Sequence, residues 1–296
     1  MIRSHRAVVV PELGARVSTH ALLHPRYRLH AVLNRRVVCE DAVLVRSFDR
    51  RGRRERPIAT MLLDGAARIR AHGRSARLAA GDVLAMDEKS AIVMRQEGER
   101  YAALAFEWDV DWLELRPEPF TAARLDDRVR AELLALFESI VAGGGAAGAV
   151  VRVAEVLRAA GVGLRVPGAS ECEEPSLPEK TVALAAELDA LFSRLAEQPM
   201  LADLERRLGV SARQLNRLVS AFNQRYGFNA AGWRDARNRR RLFVGFALMT
   251  APGATAELIA RAVGYRSLSA FTHGLTEAGL PPPSAIAEVV ASLCEV

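Results

Sequence analysis

Arg213, Asn216 and Arg217 stand at i, i+3 and i+4, the spacing at which side chains share one face of a helix. Their types suit base recognition. A guanidinium fork matches the O6 and N7 acceptors of guanine, and a carboxamide matches the N6 and N7 edge of adenine. A turn of about 100° per residue brings Ser220 and Gln224 onto the same face. Leu215, Leu218, Val219 and Phe222 fall on the opposite face. A helix that is apolar behind and polar in front fits a DNA major groove. It fits the solvated side of an ordinary helical hairpin equally well, and both readings stand on this segment alone.

The neighbouring residues position that helix. Leu201, Leu204 and Leu208 form the apolar face of a short preceding helix, which Gly209 ends in the left-handed conformation that helix C-termini favour. Ser211 caps the next helix, with Gln214 three residues on completing an S-x-x-Q capping box. Gln214 also lies at the start of the reading helix and counts among the candidate contacts. A second unit follows. Thr255 starts a helix bearing Leu258, Ile259, Ala262 and Val263; Gly264 ends it; Ser267 caps another that buries Phe271 and Leu275. A long helix, about residues 230–249, joins the two units.

Charge is distributed to match. The net charge is +6, and Lys89 and Lys180 are the only lysines. Residues 198–242 hold ten arginines, among them Arg206, Arg207, Arg225, Arg237, Arg240 and Arg241, against Asp203, Glu205 and Asp235. Such a block is what a phosphate-binding surface requires, with Arg237 and Arg240 on the connecting helix as candidates.

Residues 199–283 resemble the DNA-binding domain of the AraC/XylS transcription regulators. The resemblance is carried by Leu201–Leu218, by Tyr226-Gly-Phe-Asn229, by Ala256–Phe271 and by the closing Gly279-Leu-Pro-Pro. It implies a sequence-specific DNA-binding transcriptional regulator with two helix-turn-helix units that enter successive major grooves. By position, the first recognition helix uses Arg213, Asn216 and Arg217, and the second uses Leu268, Ser269 and His273. The chain departs from the family where His273 replaces a common arginine, where Leu275-Thr276 replace an aromatic and a lysine, and where Asn238 replaces an arginine. Double-stranded DNA is the implied partner. A small-molecule effector, a second copy of the chain and RNA polymerase are the others that follow from the resemblance.

The first 110 residues read as short strands: Val37–Ser47, Ala59–Leu63, Ala66–Ala71, Asp82–Met86, Ala91–Gln96 and Tyr101–Trp108. Turn signals at Asp64-Gly65, His72-Gly73, Gly81-Asp82 and Glu97-Gly98 separate them. The rhythm resembles the cupin-like regulatory domain of the same family. A helical stripe follows, with Leu125, Val129, Leu133, Leu136, Phe137 and Ile140 in residues 123–142, and a second helix spans residues 149–160. The stripe is a candidate for packing on the barrel or on a partner copy. The expected fold is therefore α+β: an N-terminal cupin-like β-barrel with flanking helices over 1–165, a Pro-rich linker over 166–180, and an all-α domain with two helix-turn-helix units over 181–296.

Other function classes find little support. A metal-dependent cupin enzyme needs paired histidines on adjacent strands, and His20, His24 and His30 form no H-x-H. No P-loop, G-x-G-x-x-G or G-x-S-x-G occurs. Cys39, Cys172 and Cys294 are scattered, which argues against disulfides and zinc. No cofactor, metal or enzymatic activity is expected. No apolar run approaches the ~20 residues of a membrane span, and the N-terminus carries no signal-peptide pattern, so a cytoplasmic protein is expected. Arg50-Arg51-Gly52-Arg53-Arg54 reads as a solvated loop. The alternatives are a cupin-type enzyme, or a protein-binding adaptor with a degenerate second unit, which the acidic surplus after residue 243 motivates.

Overall fold

The structure, a computed structural model, describes residues 1–37, 56–71, 74–86, 92–115, 121–144, 147–173, 177–228 and 230–292. The expected strand after Val37, the 50–54 arginine run, the His72-Gly73 turn, Cys39 and Cys294 lie outside these. Eight antiparallel strands come first: β1 (Ile2–Val10), β2 (Ala15–His24), β3 (Tyr27–Arg35), β4 (Ile58–Ala71), β5 (Arg74–Ala79), β6 (Asp82–Met86), β7 (Ile92–Trp108) and β8 (Thr121–Arg124). They form one sheet in the order β1-β2-β3-β7-β4-β6-β8, with β5 on β4.

Among the described residues β1 and β8 do not pair, so the sheet expected as a cupin-like barrel is open. A helix, α4 (Glu179–Ser193), takes the place of a closing strand at β1. The outward N–H groups of His5 and Ala7 donate to Asp189 Oδ2 at 2.8 Å and Ser193 Oγ at 3.2 Å. Asp189 and Ser193 are one turn apart, so a single helix face satisfies alternate donors of an edge strand that would otherwise invite another chain.

Two expected turns are bulges inside longer strands. The β4–β7 register slips on either side of Asp64, and Gly65 (φ +90°) and Gly98 (φ +91°) have backbone that L side chains rarely adopt. A Cβ on Gly65 would come within 2.4 Å of the Arg100 carbonyl oxygen. Gly81-Asp82 is a turn as expected, but it carries β5 into β6 along the same edge of β4 without pairing the two, and Asp82 Oδ2 accepts from Ala79 N–H at 2.7 Å.

The two faces of the sheet belong to different cores, since alternate strand residues face opposite ways. On the inner face Leu22, Tyr27, Leu29, Phe106 and Trp108 pack with α1 (Asp127–Val141) and α2 (Ala147–Ala159). Leu133, Phe137 and Ile140 of the helical stripe are buried there, so that stripe covers the chain's own sheet. Residues 121–124 pair as β8, and α1 begins after Asp126, whose carboxylate caps it by accepting from Val129 N–H at 2.8 Å.

The stretch read as a linker includes α3 (Ala169–Cys172). Its Cys172 is fully buried, and the Cys172 carbonyl accepts from Tyr27 Oη at 2.9 Å. Arg165 clasps Glu171 with two hydrogen bonds, at 2.8 and 2.9 Å. That clasp, with the Gly168 N–H, holds the Glu171 carboxyl down at about 2.

On the outer face Ile2, Val8, Val10, Val17, Ala21 and Leu23 join one core with the helices beyond residue 178. These are α4, α5 (Leu201–Leu208), α6 (Ala212–Tyr226), α7 (Trp233–Met249), α8 (Ala256–Ala262), α9 (Leu268–Glu277) and α10 (Pro283–Ser292). The molecule is α+β, with its helical part built onto the β1–β2 hairpin.

Candidate nucleic-acid interface

The first unit is α5, a tight turn and α6. Gly209 ends α5 at φ +61°, and the N–H groups of Gly209 and Val210 both return to the Glu205 carbonyl. Ser211 then caps α6: its hydroxyl accepts from Gln214 N–H at 3.4 Å, while Gln214 Oε1 accepts from Ser211 N–H at 3.0 Å. The capping box read from the sequence is formed, and it engages the Gln214 carboxamide at the helix start.

Leu215, Val219, Phe222 and Tyr226 bury the back of α6, and Arg213, Asn216 and Arg217 are exposed on its front. Among the described residues neither Arg213 nor Arg217 meets a carboxylate, whereas Arg206 pairs with Asp203, Arg207 with Glu187 and Arg239 with Asp235. Arg213 also stands in the first turn, where the helix dipole disfavours a cation. Its placement is not one that helix stability would choose.

Ser220 is half-buried, and its hydroxyl donates to the Ala231 carbonyl at 2.7 Å. Asn223 Nδ2 donates to the Ala230 carbonyl at 2.9 Å. The loop entering α7 is thus tied to one side of α6, which narrows the free face towards Arg213, Asn216 and Arg217.

In the second unit Thr255 caps α8 and Ser267 caps α9, each hydroxyl accepting a third-residue N–H. Gly264, at φ +80°, makes the turn; a Cβ there would lie 2.0 Å from the Leu195 carbonyl oxygen. Ser269 is exposed on α9, and Leu268 is half-buried against the core. His273 is 79% and Glu277 77% exposed, with His273 Nε2 4.0 Å from the Glu277 carboxylate. The outer face of α9 therefore carries an imidazole and a carboxylate where α6 carries two guanidiniums.

Structural work occupies part of the arginine block. Arg241 is buried on α7; its Nε donates to the Val263 carbonyl at 2.9 Å and its guanidinium lies 4.8 Å from the Tyr265 ring. Burial pushes the Arg241 guanidinium down and the Tyr265 phenol up from their ordinary values. Arg237 is half-buried, donates to the Pro199 carbonyl at 3.2 Å, and is lowered by desolvation and then by Arg234. Arg240, also half-buried, lies 5.9 Å from the Phe243 ring. Spacing along a helix cannot distinguish these from groove-facing arginines, because α7 is packed on several sides.

Sequence reasoning also missed the contacts between the sheet and the end of α6. Arg28 of β3 is buried, bonded through Nε and Nη2 to Glu107 of β7, and Nη1 donates to the Gly227 carbonyl at 3.1 Å. Gly227 caps α6 at φ +71°. The next residue, Phe228, has the Arg28 and Arg6 guanidiniums 5.4 and 5.5 Å from its ring. The apolar residue after Tyr226-Gly227 was the one signal available.

No protein-family model matches the sequence, and no curated protein matches it. Among solved structures the chain is similar to ToxT from Vibrio cholerae, with 10% identity over 99% of this chain and 99% of that one and a TM-score of 0.34. It is similar to the AraC-like transcriptional activator CuxR, with 12% identity, 80% and 85% coverage and a TM-score of 0.34. The EutQ protein of Clostridium difficile is similar over 33% of this chain and 71% of its own, at 14% identity and a TM-score of 0.24. Among the described residues no helix is long and apolar enough to cross a membrane, and no cluster of three or more His, Cys, Asp or Glu could hold a metal.

Proposed function

We propose that the chain is a sequence-specific DNA-binding transcriptional regulator that reads its site mainly through α6. The observation that supports this is the exposed Arg213–Asn216–Arg217 face of a capped second helix. Its two guanidiniums meet no carboxylate among the described residues, in a chain that pairs many of its other arginines. A guanidinium left open costs nothing in water and is ready for bidentate contact with guanine. The second unit supplies shape and a weaker contact through Ser269 and His273. The remaining parts of the proposal are the N-terminal sheet as the module that receives a small effector, a homodimer as the assembly, and RNA polymerase as a further partner.

The test is selection of duplexes from a randomised pool by the full chain, followed by titration with salt. The expected result is a recovered consensus, with log affinity falling against log salt by several units, as neutralised phosphates release counterions. A pool that stays random, or a slope near zero, would falsify the proposal.

A further inference from the structure

We infer that the sheet is a positioning element for the first reading helix, acting through Phe228 and the Gly227 carbonyl. This rests on the DNA-binding reading above and adds what fixes the angle at which α6 is presented.

The contacts converge on the last turn of α6. Arg28 Nη1 donates to the Gly227 carbonyl at 3.1 Å, the end of the helix at which a cation is favoured by the macrodipole. Phe228 continues from that cap, with its N–H on the Asn223 carbonyl at 2.7 Å and its ring stacked 6.0 Å from Phe222. Two guanidiniums from different strands lie against the Phe228 ring, and each is fixed by its own carboxylate. Arg28 is held by Glu107, and Arg6 by Asp189 of α4 at 2.8 Å. Since Asp189 also accepts from Ser4 Oγ and His5 N–H, the Arg6 side of the tie is anchored to the edge strand itself.

The tie leaves the reading face open. Arg213, Asn216 and Arg217 are exposed, and the sheet holds the opposite end of the helix. A contact that grips one end of a helix and leaves its groove-facing residues uncovered sets orientation and does not occlude. Loosening the tie therefore weakens specific recognition, because bidentate base contacts tolerate little misplacement, while diffuse phosphate attraction persists.

Phe228→Leu keeps apolar volume against Phe222 and leaves both ion pairs intact. Arg28→Lys keeps the charge and loses the fork that reaches Glu107 and Gly227 together. The full-length chain and both variants are measured on a duplex selected from a randomised pool and on random-sequence competitor DNA, alongside Arg217→Ala. The expected result is an about tenfold loss of specific affinity for Phe228→Leu, the scale of one misplaced bidentate base contact, with Arg28→Lys losing in the same direction. Non-specific affinity and salt slope should stay near wild type, while the thermal midpoint falls modestly with the lost contacts and stays well above the temperature of the binding assay. An unchanged specific-to-non-specific ratio overturns the inference. So does a parallel fall of both affinities together with the thermal midpoint, which marks simple loss of stability. If wild type and Arg217→Ala alike fail to discriminate between duplexes, the DNA-binding reading has failed as well, and that outcome is distinct from the first two.

Discussion

Arg217 and Arg241 belong to the same arginine block, yet Arg217 faces solvent and Arg241 is buried beside Tyr265. Composition counts them alike. A helical wheel places Arg217 on an exposed face because α6 has one buried face, and it has no such purchase on α7, which is packed on several sides. Substitution should separate them too. Arg217→Ala should remove ~1–3 kcal/mol of discrimination against wrong bases and leave the urea midpoint near wild type. Arg241→Met should do the reverse: losing a charged hydrogen bond to the Val263 carbonyl costs ~2 kcal/mol of stability, read as a lower midpoint. On α9, His273→Ala should change affinity little, since a lone imidazole offers a single contact where a guanidinium offers a fork. Glu277→Gln should tighten binding modestly on all sequences by removing repulsion of phosphate. Gel-shift titrations on selected and random duplexes measure both; equal losses from the Arg217 and His273 variants would sink the asymmetry.

At the scale of elements, glycines and caps made the helical units legible, and the same residue type misled in the sheet. Gly209 and Gly264 both end helices in the left-handed region, as their spacing implied. They differ in what surrounds them, which no sequence pattern carries. Nothing lies within 4 Å of a Cβ at Gly209, whereas one at Gly264 would meet the Leu195 carbonyl and Arg241. Gly209→Ala should therefore cost about 1 kcal/mol for the conformation alone, and Gly264→Ala should cost clearly more, read by chemical denaturation. Asp64-Gly65 signals positive φ, and a bulge needs that as much as a turn does; only pairing with β7 decides between them. In the β1–β2 hairpin, His20 stacks on His5 at 3.9 Å and is held neutral, its pKa pushed down to about 4 by burial, then by His5 and Arg16. Burial and then Arg16 also lower His5, while Asp189 raises it. Because the folded value lies below the ordinary 6.5, the unfolded chain binds the proton more readily between them. The stabilisation is complete above pH 6.5 and is lost as pH falls toward 4. His20→Gln should flatten the urea midpoint between about pH 7 and about pH 5; an unaltered slope would exclude His20 as its source.

The halves on either side of the division expected at residues 166–180 share one core. Composition shift and prolines marked the boundary, but they carry no information on which face of an earlier strand a later helix covers. The even-numbered residues Ile2, Val8 and Val10 of β1 and the odd-numbered Val17, Ala21 and Leu23 of β2 share one core with Leu184 and Leu188 of α4 and Val244 and Leu248 of α7. That shared core decides how the chain should unfold. Re-exposing two fully buried leucines costs ~3–6 kcal/mol, against a net domain stability of ~5–15 kcal/mol. A fragment of residues 181–296 would bare the α4 face that holds Leu184, Leu188 and Leu191, and would strand Asp189 without Ser4, His5 and Arg6. A fragment of residues 1–165 would bare Ile2, Val8, Val10 and Val17, and would free the β1 edge that α4 now satisfies. Neither half has the surface of a finished domain, so neither should unfold independently of the other in the intact chain. The expected calorimetric trace of the full protein is one transition, with far-ultraviolet circular dichroism and the fluorescence of Trp108, Trp112 and Trp233 changing at the same temperature. Trp108 and Trp112 report the inner core of the sheet and Trp233 the helical core, so the signals sample both sides of the joint. Two resolved transitions, or a 181–296 fragment as stable as the whole, would show that the β1–β2 hairpin rests on the helices without supporting them.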